Sequence, residues 1–90
     1  MTAMPHAANT VEQLLDEQKL LLKAEDDIEQ GWSRLRNQQD LLSERQRTGS
    51  DTRQGERLVQ LMKQTLVEWE RHRQLIEQRI AYLEREVSAS

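Results

Sequence analysis

Large apolar residues recur every seven positions along two stretches of this chain, and a glycine-bounded segment separates the stretches. The recurring residues are Leu14, Leu21, Ile28, Leu35 and Leu42, followed by Met62, Trp69, Ile76 and Leu83. A seven-residue apolar interval is typical of a helix that packs lengthwise against another helix. Because 90 residues hold only two such helices, the chain has no room for an enclosed active site.

The composition favours long helices and a thin core. Hydrophobic residues make up 36% of the chain and charged residues 32%, and there is one proline. A small domain buries the smallest fraction of its surface on folding. We therefore expect further burial against a second copy or against another protein.

Capping signals predict where helix 1 begins. The segment 10–13, Thr-Val-Glu-Gln, fits a capping box, in which the Thr10 hydroxyl accepts a backbone N–H and Gln13 reaches back. The residues before it are small and polar, so they are predicted to be a flexible tail. The predicted organisation is a tail at 1–9, helix 1 at about 10–47, a loop at 48–55, helix 2 at about 52–87 and a frayed end at 88–90.

The loop is the one segment rich in turn-forming residues. Helix 1 is predicted to end near Arg47, with Gly49 available for a left-handed cap. Asp51 or Thr52 is the candidate cap of helix 2.

A second series completes each predicted seam, and in helix 1 this series is mostly polar. With Val11 at heptad position a, the leucines of helix 1 occupy position d, and Val59 opens the corresponding a series of helix 2. The polar residues that this assignment places in the seam are Gln18, Glu25, Gln39 and Arg73. Because a buried polar group without a partner costs several kcal/mol, we expect these residues to be paired or hydrated and to fix the register.

These features predict an all-α fold, a long antiparallel helical hairpin that dimerises into a four-helix bundle. Folding about Asp51 pairs residues whose numbers sum to roughly 102. The predicted pairs are Leu42 with Val59, Leu35 with Leu66, Leu21 with Ile80, Leu14 with Val87 and Trp32 with Trp69, with Glu25 within one turn of Arg73.

Gly31 and the two tryptophans mark the middle of the hairpin. A glycine inside a helix costs about 1 kcal/mol relative to alanine, so we attribute Gly31 to close packing against a bulky residue and keep the helix continuous. Trp32 and Trp69 are interpreted as an aromatic layer in the core. As the alternative, they are binding anchors of the kind that dominate interfaces.

Apolar residues outside the seam predict binding surfaces, because each helix carries more of them than one neighbouring helix covers. The candidate interface residues are Leu15, Leu20, Leu22, Trp32, Leu41, Leu58, Leu61, Trp69, Leu75 and Tyr82. We expect the occupant to be a second copy, another helical protein, or both.

The side chains in this sequence argue against a catalytic, cofactor-binding or metal-binding site. There are no cysteines, two histidines and no glycine-rich phosphate loop, so the usual catalytic and cofactor-binding arrangements are missing. The acidic cluster that begins at Glu25 does not converge on one ion, since adjacent helical residues point about 100° apart. We expect no enzymatic activity, no cofactor and no bound metal.

The composition also indicates whether the chain binds nucleic acid and where in the cell it is located. A leucine-zipper transcription factor needs a basic segment before the zipper, and residues 1–13 contain no lysine or arginine. The longest aliphatic run is Leu20-Leu21-Leu22, against about 20 apolar residues for a membrane span, and no segment resembles a signal peptide. We expect a cytoplasmic protein.

The leading hypothesis is a non-enzymatic protein-binding adaptor, small helical chaperone or assembly scaffold that acts through its coiled-coil faces. One alternative is a purely structural, self-assembling coiled-coil module. Another is a nucleic-acid-associated regulator that uses the arginines around the hairpin tip.

Overall fold

A computed structural model describes residues 6–89, with side chains from residue 9 onward. It contains two α-helices, α1 (His6–Arg47) and α2 (Arg53–Ala89). The two long helices contact each other as a helical hairpin. The predicted all-α hairpin is therefore confirmed, while its dimerisation into a bundle stays a prediction.

The first helix begins earlier than its capping signal. α1 starts at His6, and Thr10, the predicted cap, is a buried residue inside the helix. Ala7 and Ala8 explain the extension in part, because alanine has the highest helix propensity of all residues. Of the predicted tail, residues 6–9 are helical and residues 1–5 lie outside the described part. Helix α2 runs to Ala89, through most of the predicted frayed end, and Ser90 is not described.

Helix α1 ends at Arg47 in a Schellman motif, the hydrogen-bonded ending built around a left-handed residue. The Ser50 N–H donates to the Arg45 carbonyl at 3.0 Å, and the Gly49 N–H donates to the Gln46 carbonyl at 3.2 Å. Gly49 has a φ of 77°, which glycine adopts without the steric penalty of a Cβ atom. The left-handed cap expected at Gly49 is present.

The start of α2 is capped by Asp51. Its Oδ1 accepts the backbone N–H of Arg53 at 3.1 Å, which satisfies one donor of the first turn. The Thr52 carbonyl accepts the Glu56 N–H at 2.9 Å, and its hydroxyl donates to Glu56 Oε1 at 3.2 Å. Of the two candidate caps, the Asp51 carboxylate is the one that accepts from the helix. The connection is shorter than predicted, since α2 begins at Arg53.

Two series of residues form the seam of α1. One matches the prediction, and the other lies one position earlier in the sequence than predicted. The residues that share burial with the leucine series are Thr10, Glu17, Ala24, Gly31 and Gln38, each buried or half-buried. Val11, Gln18, Glu25 and Trp32, which were placed in the seam, are exposed, and Gln39 is half-buried. Heptad position a therefore belongs to the leucine series of α1, and the second series lies one residue before the predicted one.

The structure divides into two compact units. The first, which we call the tip unit, comprises residues 26–70. Its core contains Ile28, Leu35, Val59 and Leu66, with Leu42, Met62 and Trp69 packed against it. The second, the terminal unit, comprises the described residues of 1–25 and 71–90. Ile76 and Leu83 are buried there.

Gly31 permits a close approach of the two helices within the tip unit. A Cβ atom at this position would lie 2.8 Å from Leu66 Cδ2 and 3.1 Å from Trp69 Cζ3. α1 continues through Gly31 without a break. The glycine is therefore explained by close packing, as predicted, and the bulky residues belong to α2.

The register of the tip unit agrees with the predicted one to within a helical turn. Leu42 was expected opposite Val59. Its Cδ1 lies 3.1 Å from where a Cβ at Gly55 would stand, one turn before Val59. Because a seam residue of one helix inserts between residues of the facing helix, a displacement of this size leaves the same side chains in the core.

Candidate protein-binding faces

Two surfaces outside the seam carry the apolar residues that the hairpin leaves exposed. The first is the α1 stripe, which we define as Val11, Leu15 and Leu22 in the terminal unit. The second is the tip groove, in the tip unit. It is lined by Gly31, Arg34, Leu61, Met62, Thr65, Leu66 and Trp69.

The α1 stripe is a row of aliphatic side chains on one face of a helix. Val11 and Leu15 are one turn apart, and Leu22 lies two turns further on, so all three point in a similar direction. Their exposed fractions are 40%, 53% and 70%. Exposed Gln18 fills the gap in the row. The stripe is long and straight enough to receive the apolar face of another helix.

Carboxylates dominate the charge around the α1 stripe. Residues 11–25, the part of α1 that bears the stripe, contain four acidic residues and two lysines, a net charge of −2. Charges beside an apolar stripe select the partner and its orientation, and like charges disfavour association. A helix with basic residues beside its own apolar stripe complements this surface.

The tip groove lies beside Gly31, where Leu66 and Trp69 of α2 pack close to the backbone of α1. The groove has a volume of about 220 Å³ and passes between the two helices of the tip unit. Leu66 and Trp69 close its floor against Gly31. Leu61 stands at its edge with 60% of its surface exposed. The arrangement places an open, mostly apolar groove beside an exposed leucine.

Other exposed leucines extend the apolar surface of the tip unit. Leu58 is 42% exposed and lies one turn before Leu61, and Leu41 of α1 is 45% exposed. The Thr65 hydroxyl donates to the Leu61 carbonyl at 2.9 Å, so that its methyl group is the part left to face a neighbour. Leu41, Leu58 and Leu61 were predicted from the sequence as interface candidates, and the structure leaves them accessible.

The prediction that Trp32 and Trp69 form an aromatic layer in the core is wrong. Trp69 packs against the core of the tip unit, whereas Trp32 is 41% exposed. The indole N–H of Trp32 donates to Glu70 Oε1 at 3.3 Å. The physical reason is the altered seam, since small Gly31, and not Trp32, faces α2 opposite Trp69.

The predicted pair of Glu25 and Arg73 is also wrong. Glu25 is exposed, and Arg73 Nε lies 3.9 Å from Glu77 Oε1 on its own helix. The charged residue in the described seam of α1 is instead Glu17, whose Oε1 accepts from Arg79 Nε at 2.9 Å. Its side chain is 18% exposed, and its Oε2 is buried without a hydrogen-bond partner.

Glu17 was missed because the period alone does not say which neighbouring series completes a seam. The available signal was residue size. Thr10, Ala24 and Gly31 are small residues spaced by multiples of seven, and small residues let helices approach closely.

The remaining predicted interface residues lie in the terminal unit and are exposed. Leu20 is 45% exposed, Leu75 52% and Tyr82 55%. Leu75 and Tyr82 are seven residues apart and share one face of α2. They add to the surface available for another helix.

Several charged side chains near the loop between the two helices form ion pairs. The Arg53 guanidinium donates to both carboxylate oxygens of Asp51, at 3.2 and 3.0 Å. This side-chain contact, with a smaller contribution from the Arg53 backbone N–H, lowers the pKa of Asp51 below its ordinary value. The same contact raises the pKa of Arg53. Arg47 pairs with Glu44 in the last turn of α1.

Neither described helix contains a stretch long and apolar enough to cross a membrane. Among the described residues, no three His, Asp or Glu side chains are grouped so that they could hold a metal ion. No known family model matches the chain, and no curated protein or solved structure matches it either.

Proposed function

We propose that this chain is a non-enzymatic, cytoplasmic protein-binding module that acts as an adaptor, small helical chaperone or assembly scaffold. Its hairpin presents apolar helical faces to other helices, and the self-association proposed with it forms a four-helix bundle. The mechanism is the burial of a partner's apolar stripe, with the flanking charges selecting the partner.

The observation that carries the proposal is the exposure of the α1 stripe. Leu22 has 70% of its surface accessible and Leu15 53%, although α1 already has a complete seam with α2. Burying one leucine side chain contributes about 1.5–3 kcal/mol. Leaving such residues in a row on one helical face favours a partner helix that covers them.

Two alternatives predict different behaviour. A purely structural module would form a stable homo-oligomer and bind nothing else. A nucleic-acid regulator would use the tip arginines, but Arg47 and Arg53 are paired with carboxylates. Binding of random duplex DNA that weakens steeply with salt would identify the nucleic-acid alternative.

Co-purification from the native cell, with matched variants, tests the proposal. The Leu15→Gln/Leu22→Gln variant removes two aliphatic side chains from the α1 stripe, and glutamine has a helix propensity close to that of leucine. The Leu58→Gln/Leu61→Gln variant makes the same change in the tip unit. Circular dichroism checks that both variants remain helical.

We expect a partner that is recovered with the wild type and with the tip variant, and lost with the stripe variant. The partner segment responsible should be an amphipathic helix. Equal recovery of every accompanying protein with all three chains would contradict the proposal, because the exposed α1 stripe would then contribute nothing to binding.

A further inference from the structure

The terminal unit has a thinner apolar core than the tip unit. Its buried apolar residues are Ile76 and Leu83, and its seam leucines on α1, Leu14 and Leu21, are half-buried. The core of the tip unit contains four buried residues with three more packed against them. A unit with few buried apolar contacts opens at a lower free energy than a unit with many.

The seam of the terminal unit also contains charged side chains with buried atoms that lack a hydrogen-bond partner. Among the described residues, these atoms are Glu17 Oε2 and Arg73 Nε. Arg73 Nε lies 3.9 Å from Glu77 Oε1, which is beyond hydrogen-bond range. Water hydrates both atoms once the helices separate, so their burial destabilises the closed form. Both atoms belong to the terminal unit, and the penalty falls on that unit.

The order of the two units along the chain decides which one can open by itself. The tip unit is one continuous segment, residues 26–70, with the loop and its own core. The terminal unit is made of two segments that the chain joins through residues 26–70. With the tip unit open, a closed terminal unit would have to close a long flexible loop, which costs conformational entropy. The terminal unit is therefore the one that can open first.

We propose that the terminal unit opens cooperatively, its segments of α1 and α2 separating together while the tip unit remains folded. The inference goes beyond the proposed function and does not depend on it, because opening is a property of the chain by itself. Its consequence concerns the α1 stripe, whose residues all belong to the terminal unit. A helix that binds the ordered stripe holds the unit closed, since it binds the closed form and not the open one.

Native-state hydrogen exchange of the full chain, followed by NMR amide by amide, tests this order of opening. We expect the amides of residues 14–23 and 74–83 to share one opening free energy and one dependence on low urea concentrations. The amides of residues 32–44 and 57–68 should exchange roughly a hundredfold more slowly, each factor of ten corresponding to about 1.4 kcal/mol.

Three variants distinguish cooperative opening from fraying of the helix ends. Val59→Ala truncates a buried residue of the tip core and should speed exchange in the tip unit roughly tenfold. Exchange in the terminal unit should not change, because the tip unit stays folded when the terminal unit opens. Glu17→Leu removes the unpartnered oxygen and should slow exchange at residues 74–83 of α2 as much as at residues 14–23 of α1, by roughly fivefold. Glu25→Leu, at an exposed position, is the control and should leave both units unchanged.

Four results would overturn the inference. Protection that rises steadily from the chain ends to the loop would indicate independent fraying, and one opening free energy in both units would indicate a single cooperative hairpin. Faster exchange of the terminal unit in Val59→Ala would show that the tip unit opens with it. Slowing confined to α1 in Glu17→Leu would show that the two segments do not separate together. The proposed function is tested separately, by partner recovery with the stripe variant.

Discussion

A methyl group added at residue 31 would meet Leu66 Cδ2 at 2.8 Å. Leu66 is 3% exposed and belongs to the core of the tip unit, so it has little room to move. The same addition at Gly55 would meet Leu42 Cδ1 at 3.1 Å, and Leu42 is half-buried and able to shift. The two glycines therefore differ in what limits their replacement.

We predict that Gly31→Ala lowers the free energy of unfolding, while Gly55→Ala leaves it unchanged or raises it. Both changes gain about 1 kcal/mol of helix propensity. Gly31→Ala also overpacks the core, at a cost of about 1–3 kcal/mol. Urea unfolding followed by circular dichroism measures the difference, which should be about 1–3 kcal/mol between the variants. Equal stabilisation by both would mean that the helices do not approach closely at Gly31.

Asp51 predicts a pH dependence at the helix junction. Its pKa is lowered in the folded chain, first by the Arg53 side chain and then by the Arg53 backbone N–H. A group with a lowered folded pKa adds stability above its unfolded pKa and loses it as pH falls through the folded value. Asp51→Asn keeps an acceptor for the cap but does not titrate.

The wild type should therefore be the more stable of the two at neutral pH, and this advantage should disappear in acid. Unfolding free energies of both chains across the acidic range provide the measurement. An advantage of the wild type that persists in strong acid would show that the Asp51 charge is not its source.

At the scale of the helices, the exact seam of α1 is the feature that the sequence left open. The leucine series was identified correctly, and the corresponding series of α2, from Val59 to Val87, is buried or half-buried throughout. For α1, the prediction placed the second series at Val11 and Trp32 because both residues are apolar, and this placement was wrong by one position. Packing selects Gly31 and its small neighbours in the series, because bulky Trp69 and Leu66 of α2 require space.

The corrected seam predicts opposite outcomes for two carboxylates. Glu17→Leu replaces a half-buried seam carboxylate, one oxygen of which has no partner, and should raise the free energy of unfolding by about 1 kcal/mol or more. The loss of its contact with Arg79 costs little, because the Arg79 side chain is 47% exposed and stays hydrated without Glu17.

Glu25→Leu is the matched control, because Glu25 was the seam residue under the original assignment. It is exposed, so its replacement should change stability by no more than about 0.5 kcal/mol. Thermal or urea unfolding of the two single variants compares them directly. Stabilisation by Glu25→Leu together with destabilisation by Glu17→Leu would restore the original seam.

At the scale of the whole molecule, the sequence was sufficient for the hairpin, the turn and the exposure of the leucines outside the seam. The seven-residue period and the glycine-bounded turn are local signals, and each specifies one structural feature. The Schellman ending at Gly49 and the close approach at Gly31 follow from them. The outward position of Trp32 required the packing of two helices, which no single segment encodes.

The exposed α1 stripe is proposed to receive a helix from another protein, and site-specific photocrosslinking in the native cell tests this proposal most directly. A photoreactive residue replaces Leu22 in one chain and exposed Lys63 in a second as the control. We predict that position 22 crosslinks to one discrete foreign protein and that the control position does not. The same products from both positions, or none from position 22, would contradict the account.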